Sequence, residues 1–173
     1  MKVFESSMFV AAALLAFPAF ASSQAINDAQ IASIVVTANQ VDIDAGKLAS
    51  AKAQSDEVKA FGKQMVTDHS GVNKQATELV TKLKVTPQDN PTSASLKSGG
   101  AENVANLKKL KGAAFDKAYV DHEVAYHQQV IDALDKTLIP NASNAELKAL
   151  LVKVRPAFVA HLEHAKHVQA SLK

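Results

Sequence analysis

Ser55-Asp56-Glu57-Val58-Lys59-Ala60-Phe61-Gly62-Lys63-Gln64-Met65-Val66-Thr67-Asp68-His69-Ser70-Gly71-Val72 is the stretch on which the fold turns. Val58, Phe61, Met65 and Val72, continued by Ala76, Leu79 and Leu83, recur at helical spacing and place one apolar stripe along a long helix. Ser55 stands where a side-chain oxygen caps the first turn, and Asp56 and Glu57 lie where the helix dipole favours negative charge. His69 falls on the same stripe, so this helix carries an imidazole into whatever core it joins.

Three further segments share the rhythm. Upstream, Ile31, Ile34, Val35, Ala38, Val41, Ala45, Leu48 and Ala49 repeat at three and four, with Asn27 and Gln30 spaced as a capping box. The junction to the second helix is tight, near Ser55. Downstream, Phe115, Tyr119, Val120, Val124, Ile131, Leu134 and Leu138 predict a third helix, stopped at Pro140, which lacks an amide donor. Ser143 with Glu146 reads as a capping box for a fourth helix, whose stripe is Leu147, Leu151, Val154, Phe158, Leu162, Ala165, Val168 and Leu172. Pro156 lies inside that stripe and predicts a kink rather than an end.

Composition agrees with helices. Of 173 residues 47% are hydrophobic, yet only 5% are aromatic and there is no Trp. Strands favour aromatic and β-branched residues, whereas closely packed helices do not need them. The net charge of +2, without a basic stripe, argues against nucleic-acid binding. With no Cys, thiolate metal sites, disulfides and cysteine nucleophiles are excluded. No Gly-rich phosphate loop or nucleophile elbow is present.

The first 21 residues read as a signal peptide. Lys2 precedes an apolar run from Met8 to Phe20, and Ala19-Phe20-Ala21 has the small-x-small cleavage pattern. That run is too short to span a bilayer, which takes roughly 20 residues. An exported, periplasmic protein follows, with residues 22–173 as its single domain and no second apolar span. Between the second and third helices runs a long connection, from about Lys84 to Gly112. Pro87, Pro91, Ser93, Ser95, Ser98, Gly99 and Gly100 make its first half loop-like, and Glu102 to Leu110 has room for a short helix. Two helical hairpins joined by one long crossover is the connectivity of ferritin-like four-helix bundles, the fold class expected here over a plain up-down bundle.

Four polar residues lie on or beside the apolar stripes, one per helix: Asp42, His69, His127 and His161. A buried imidazole or carboxylate needs a partner, because leaving it unsatisfied costs about 1–3 kcal/mol. Counting residues from the turns puts Asp42 level with His69 at about 1.5 Å per residue. The same count matches His161 to His122 better than to His127, so either could be its partner. Glu123, four residues before His127, shares its helical face. Imidazole and carboxylate together suit Zn, Fe, Cu or Mn rather than Ca or Mg. The di-iron template wants Glu-x-x-His on two helices, and this chain has none.

The run Asp42-Ile43-Asp44-Ala45-Gly46-Lys47-Leu48-Ala49, followed by Val58-Lys59-Ala60-Phe61 and Met65-Val66-Thr67-Asp68-His69, resembles the domain of unknown function family 4142. Phe115-Asp116-Lys117-Ala118-Tyr119 with His127, and Pro156 followed by His161-Leu162, extend the resemblance over about Asp28 to Leu172. It implies a bacterial exported protein with a ferritin-like fold, of the kind described as membrane or outer-membrane proteins, and it emphasises Asp42, His69, His127 and His161. Asp42 stands where that family usually has Glu, and Tyr126 where an Asp often precedes the His.

The functional expectation is a periplasmic, non-enzymatic helical protein whose core His/Asp cluster is structural or binds a metal ion weakly. A role in envelope stress or metal handling, and peripheral outer-membrane association, would be consistent with it. A ferritin-like, metal-dependent oxidoreductase is the alternative from another class, and a protein-interaction module using an apolar patch at Leu96 to Leu110 is a third.

Overall fold

The computed structural model describes residues 26–172; the segment Met8–Phe20 expected to be a signal peptide, and its cleavage pattern, lie outside them. Every element among the described residues is helical, and no helix there is long and apolar enough to cross a membrane. The elements are α1 (Asp28–Lys52), α2 (Asp56–Lys82), α3 (Pro91–Lys109), α4 (Gly112–Ala133), a π-helical turn (Leu134–Leu138), α5 (Ile139–Asn141) and α6 (Ala145–Ser171).

Local chemistry sets most of the boundaries. Asn27 and Gln30 close the expected capping box on α1, and the Ser55 side chain accepts from the Val58 amide at the start of α2. The Asp116 carboxylate on α4 accepts from the amides of Gln54 (2.9 Å) and Ser55 (2.7 Å), so the α1–α2 turn is fixed from across the protein. At the opposite end, Asp28 accepts from the Ser143 and Asn144 amides and anchors the entry to α6.

Two boundaries differ from the sequence reading. Asn144 rather than Ser143 caps α6, its side chain accepting from the Glu146 and Leu147 amides, while Asp28 holds the Ser143 and Asn144 amides. Pro140 does not stop the third long helix at Ile139. A π-helical turn carries the chain on to Asn141, with Pro140 in a first-turn position where its missing amide costs nothing. Pro156 lies inside α6, which runs on past it as expected.

The larger correction concerns the crossover. Its Pro/Ser/Gly-rich half is not a loop: α3 begins at Pro91, under a capping box from Asn90 and Ser93. Pro at the first helical position fits that start. Gly100 is needed because a Cβ there would come within 2.6 Å of the Val41 side chain of α1. The start of α3 is held near the start of α1, where Asn90 donates to the Gln30 carbonyl and Ser33 to Asp89. The end of α3 is held near the end of α1, where Lys52 reaches the Leu107 and Lys108 carbonyls. The crossover thus runs the length of α1 as a helix.

Helices α1 and α2 approach closely at Gly46 and Gly62, where a Cβ on Gly46 would sit 2.8 Å from the Gly62 carbonyl oxygen. Helix α1 is covered by both α2 and α3, which explains its contiguous buried run Ile31 to Val35. Two apolar cores result. One holds Ile31, Ile34, Val72, Ile131, Leu134, Leu151 and Phe158; the other Ala45, Ala49, Phe61, Met65, Phe115, Tyr119 and Val168. On each of α1, α2, α4 and α6 the chain passes from one core to the other, and at that passage stand Asn39 and Asp42, His69, Glu123 and His127, and His161. The buried polar residues therefore form a layer between two apolar ones.

Candidate metal centre

His69 on α2, His127 on α4 and His161 on α6 come together in this layer. Their ring centroids are 5.6 Å apart for His69 and His127, 5.1 Å for His69 and His161, and 5.5 Å for His127 and His161. One ligand atom from each lies within 4.8 Å of the others, and the same holds for Asp42, Glu123 and His127. Asp42 Oδ2 faces His69 Nε2 at 3.4 Å, the pairing expected from their equal distance to the α1–α2 turn.

The choice between His122 and His127 is decided in favour of His127. It is fully buried against both other imidazoles, whereas His122 is partly exposed and stacks on Tyr126. Helix extension to Asn141 adds about 3 Å to the distance of His127 from the turn. That lengthening brings it toward the level of His161, and side-chain reach covers the remainder.

Each imidazole has one ring nitrogen anchored on its outer side. His69 Nδ1 donates to Asn39 Oδ1 at 2.7 Å, His127 Nδ1 to the Glu123 carbonyl oxygen at 3.0 Å, and His161 Nε2 to Asp68 Oδ2 at 2.9 Å. Placing the proton on the anchored nitrogen leaves a lone pair on the other. Those other nitrogens, His69 Nε2, His127 Nε2 and His161 Nδ1, are buried and have no hydrogen-bond partner in the protein. The oxygens of Asp42 and Glu123 are likewise buried, with no partner outside the pair that these two carboxyls make with each other. Asn39 in turn donates to the Val35 carbonyl, which holds its oxygen toward His69. Such outer hydrogen bonds on ligating histidines fix tautomer and ring orientation in metal sites.

Electrostatics keep the imidazoles neutral. Burial, then the neighbouring His127 and His161, push His69 down to about 2; burial, then His161, pushes His127 down to about 4. His161 is lowered by burial despite the opposing pull of Asp68. The carboxyls move the other way. Burial raises Asp42 to about 7, and burial together with the charge of Asp42 raises Glu123 well above the carboxylate range. Two acids this close in a dry layer favour sharing a proton or a cation over carrying two bare charges. Tyr119, whose buried hydroxyl has no partner in the protein, is raised by burial and by the charges of Glu123 and Asp42.

Residue counting did not find Asn39, Asp68 or Tyr119. Asn39 was detectable as the i−3 neighbour of Asp42 on one helical face. Asp68 directly precedes His69 and faces α6 instead, a direction that no count along α2 reveals. Asp116, buried like Glu123, serves the α1–α2 turn and not this layer.

The arrangement is that of an all-helical protein with a buried histidine–carboxylate cluster. The chain belongs to the family described as Domain of unknown function (DUF4142), whose match spans residues 15–168. No curated protein and no solved structure matches it.

Proposed function

We propose that this chain is an exported, ferritin-like four-helix protein that binds one divalent transition-metal ion at His69, His127, His161, Asp42 and Glu123, and that it serves metal handling in the cell envelope. One observation carries the reading: three neutral imidazoles, each tied by one ring nitrogen, leave their other nitrogens without a partner in the buried layer that also holds Asp42 and Glu123, with His69 Nε2 3.4 Å from Asp42 Oδ2. Two carboxylates balance the charge of one divalent cation, so a loaded centre is neutral and can stay dry. Mixed imidazole and carboxylate donors suit Zn, Fe, Cu or Mn. When bound, such an ion supplies Lewis acidity or, for iron, copper and manganese, a redox couple.

Support for the ferritin-like connectivity comes from the course of the chain. Helix α3 returns along α1, so α2 and α4 run the same way and α1 and α6 the opposite way, as in a bundle with one long crossover. Export rests on the apolar run and cleavage pattern before Ser22. Two inward carboxylates, with Asp116 committed elsewhere, favour binding over a carboxylate-bridged di-iron oxidase, whose template requires four. A groove of about 1120 Å³ between α1 and α3, lined by Val36, Val41, Leu48 and Val104 among charged residues, is what favours an interaction role. Those apolar residues are buried or half-buried, so the groove offers no broad apolar patch.

Elemental analysis of protein purified from its native compartment without chelators tests the reading, alongside His69→Ala. About one equivalent of a transition metal in the native protein, lost in the variant, is the expected result. Metal absent from both, or equal in both, refutes it.

A further inference from the structure

Phe158 of α6 stands edge-on to His69, with ring centroids 5.2 Å apart, and is tilted against His127 at 6.2 Å. It forms the floor of a second pocket of about 200 Å³, bounded by Asn39 and Tyr126 and walled by Val130, Leu134, Leu138 and Val154. The mouth lies between α3 and α4, where the exposed Thr92 and Gln129 flank it. Leu134 and Leu138 are the two ends of the π-helical turn, so the pocket sits where α4 departs from regular winding. Turns of that kind are frequent at functional sites.

The chemistry of the lining is one-sided. No charged side chain reaches it. Its two inner polar residues turn their polar atoms into the protein: Asn39 donates to the Val35 carbonyl and accepts from His69, and the Tyr126 hydroxyl donates to the Ala38 carbonyl at 3.0 Å. A buried water needs two to four polar partners, and the interior of this pocket provides none that is free. Apolar cavities of about 150 Å³ remain dry and take up benzene or xenon.

We propose that this pocket is a binding site for a small, uncharged, apolar molecule of benzene size or less. A guest there touches Phe158 and Asn39, both of which touch His69, so it lies one side chain from the histidine cluster. The site stands on its own lining and does not require that the cluster hold a metal.

Chelator-treated full chain keeps the test independent of metal. Crystals pressurised with xenon give the position of a bound atom, and methyl NMR titrations with benzene, with benzoate as the charged control, give affinity in solution. The expected result is xenon between Phe158 and Leu134, with benzene shifting the methyls of Val130, Leu134, Leu138 and Val154 while benzoate leaves them unmoved. Ala133 lines the pocket, and Ala133→Leu should weaken benzene binding at least tenfold while retaining a cooperative melt. If that variant fails to fold, the xenon position in the native chain decides. Xenon absent from the pocket, benzene shifts centred elsewhere, or benzoate binding as well as benzene would each overturn the proposal.

Discussion

Replacing Asp42 by Asn should make the metal-free protein more stable and the metal-loaded protein less so. Asp42 is buried, and its carboxyl is raised from an ordinary 3.8 to about 7, chiefly by burial. A folded-state value above the unfolded one means that the folded chain holds the proton more tightly. The carboxyl therefore destabilises the fold increasingly as pH climbs from about 4 to 7, and the cost levels off above that. At about 1.36 kcal/mol per pH unit, the full interval amounts to about 4 kcal/mol. Asn keeps the shape without the charge, so Asp42→Asn in EDTA at pH 7 should gain about 2–4 kcal/mol. The gain should shrink toward zero below about pH 4, as the unfolded carboxyl takes up the proton that the folded one already holds. His69 and His127, held low, have the opposite slope and are common to both chains; Glu123, raised in part by the charge of Asp42, is relieved in the variant as well, so the difference reports on the Asp42–Glu123 pair. Metal reverses the order: an ion at a thousand times its dissociation constant adds about 4 kcal/mol to a protein that binds it. The variant should gain far less. Urea unfolding of both proteins from pH 4 to 7, in EDTA and in excess Zn²⁺, measures all four quantities. Asp42→Asn less stable than the native chain in EDTA at pH 7, or equal stabilisation of both by metal, would refute the reasoning.

Asn39→Ala removes the acceptor that orients His69 and should weaken metal binding about 10–100-fold, as loss of such outer partners does, read by competition with a chromophoric chelator; unchanged affinity would count against the assigned tautomer. Gly62→Ala should cost about 1–3 kcal/mol, since the added Cβ would meet the Gly46 carbonyl oxygen and the Ser50 amide nitrogen at 2.9 Å and force α1 from α2. Gly71→Ala on the same helix meets nothing within 4 Å and should stabilise by about 0.5–1 kcal/mol, so paired thermal melts check both signs. Asp116→Ala removes two charge-assisted hydrogen bonds from the α1–α2 turn and should cost about 2–4 kcal/mol, with faster amide exchange at Gln54 and Ser55; protection unchanged at those amides would contradict the anchor.

The four long helices and most of their starts were legible because they depend on neighbours along the chain. Asn27, Gln30 and Ser55 each reach an amide three residues away, and a stripe such as Val58, Phe61, Met65 and Val72 repeats with the helix itself. For the same reason the sequence placed Asp42, His69, His127 and His161 on inward faces. It misjudged residues whose state is set from a distance. The Pro/Ser/Gly-rich crossover has poor local propensity, yet it is helical because Asn90 caps it and Gly100 fits against Val41 across the space between two helices. Ser143 lost its capping role to its neighbour Asn144, in a turn that Asp28 holds from the start of α1.

Sequence alone determined which side chains could enter the core, since helical periodicity is a local property. Only the tertiary structure decided that His127 and not His122 meets His161, and which nitrogen of each ring points inward. It also decided that Asp68 holds one imidazole while the adjacent His69 contributes another. Those outcomes depend on where separate helices end and how they tilt together, quantities set by packing between segments distant in the chain.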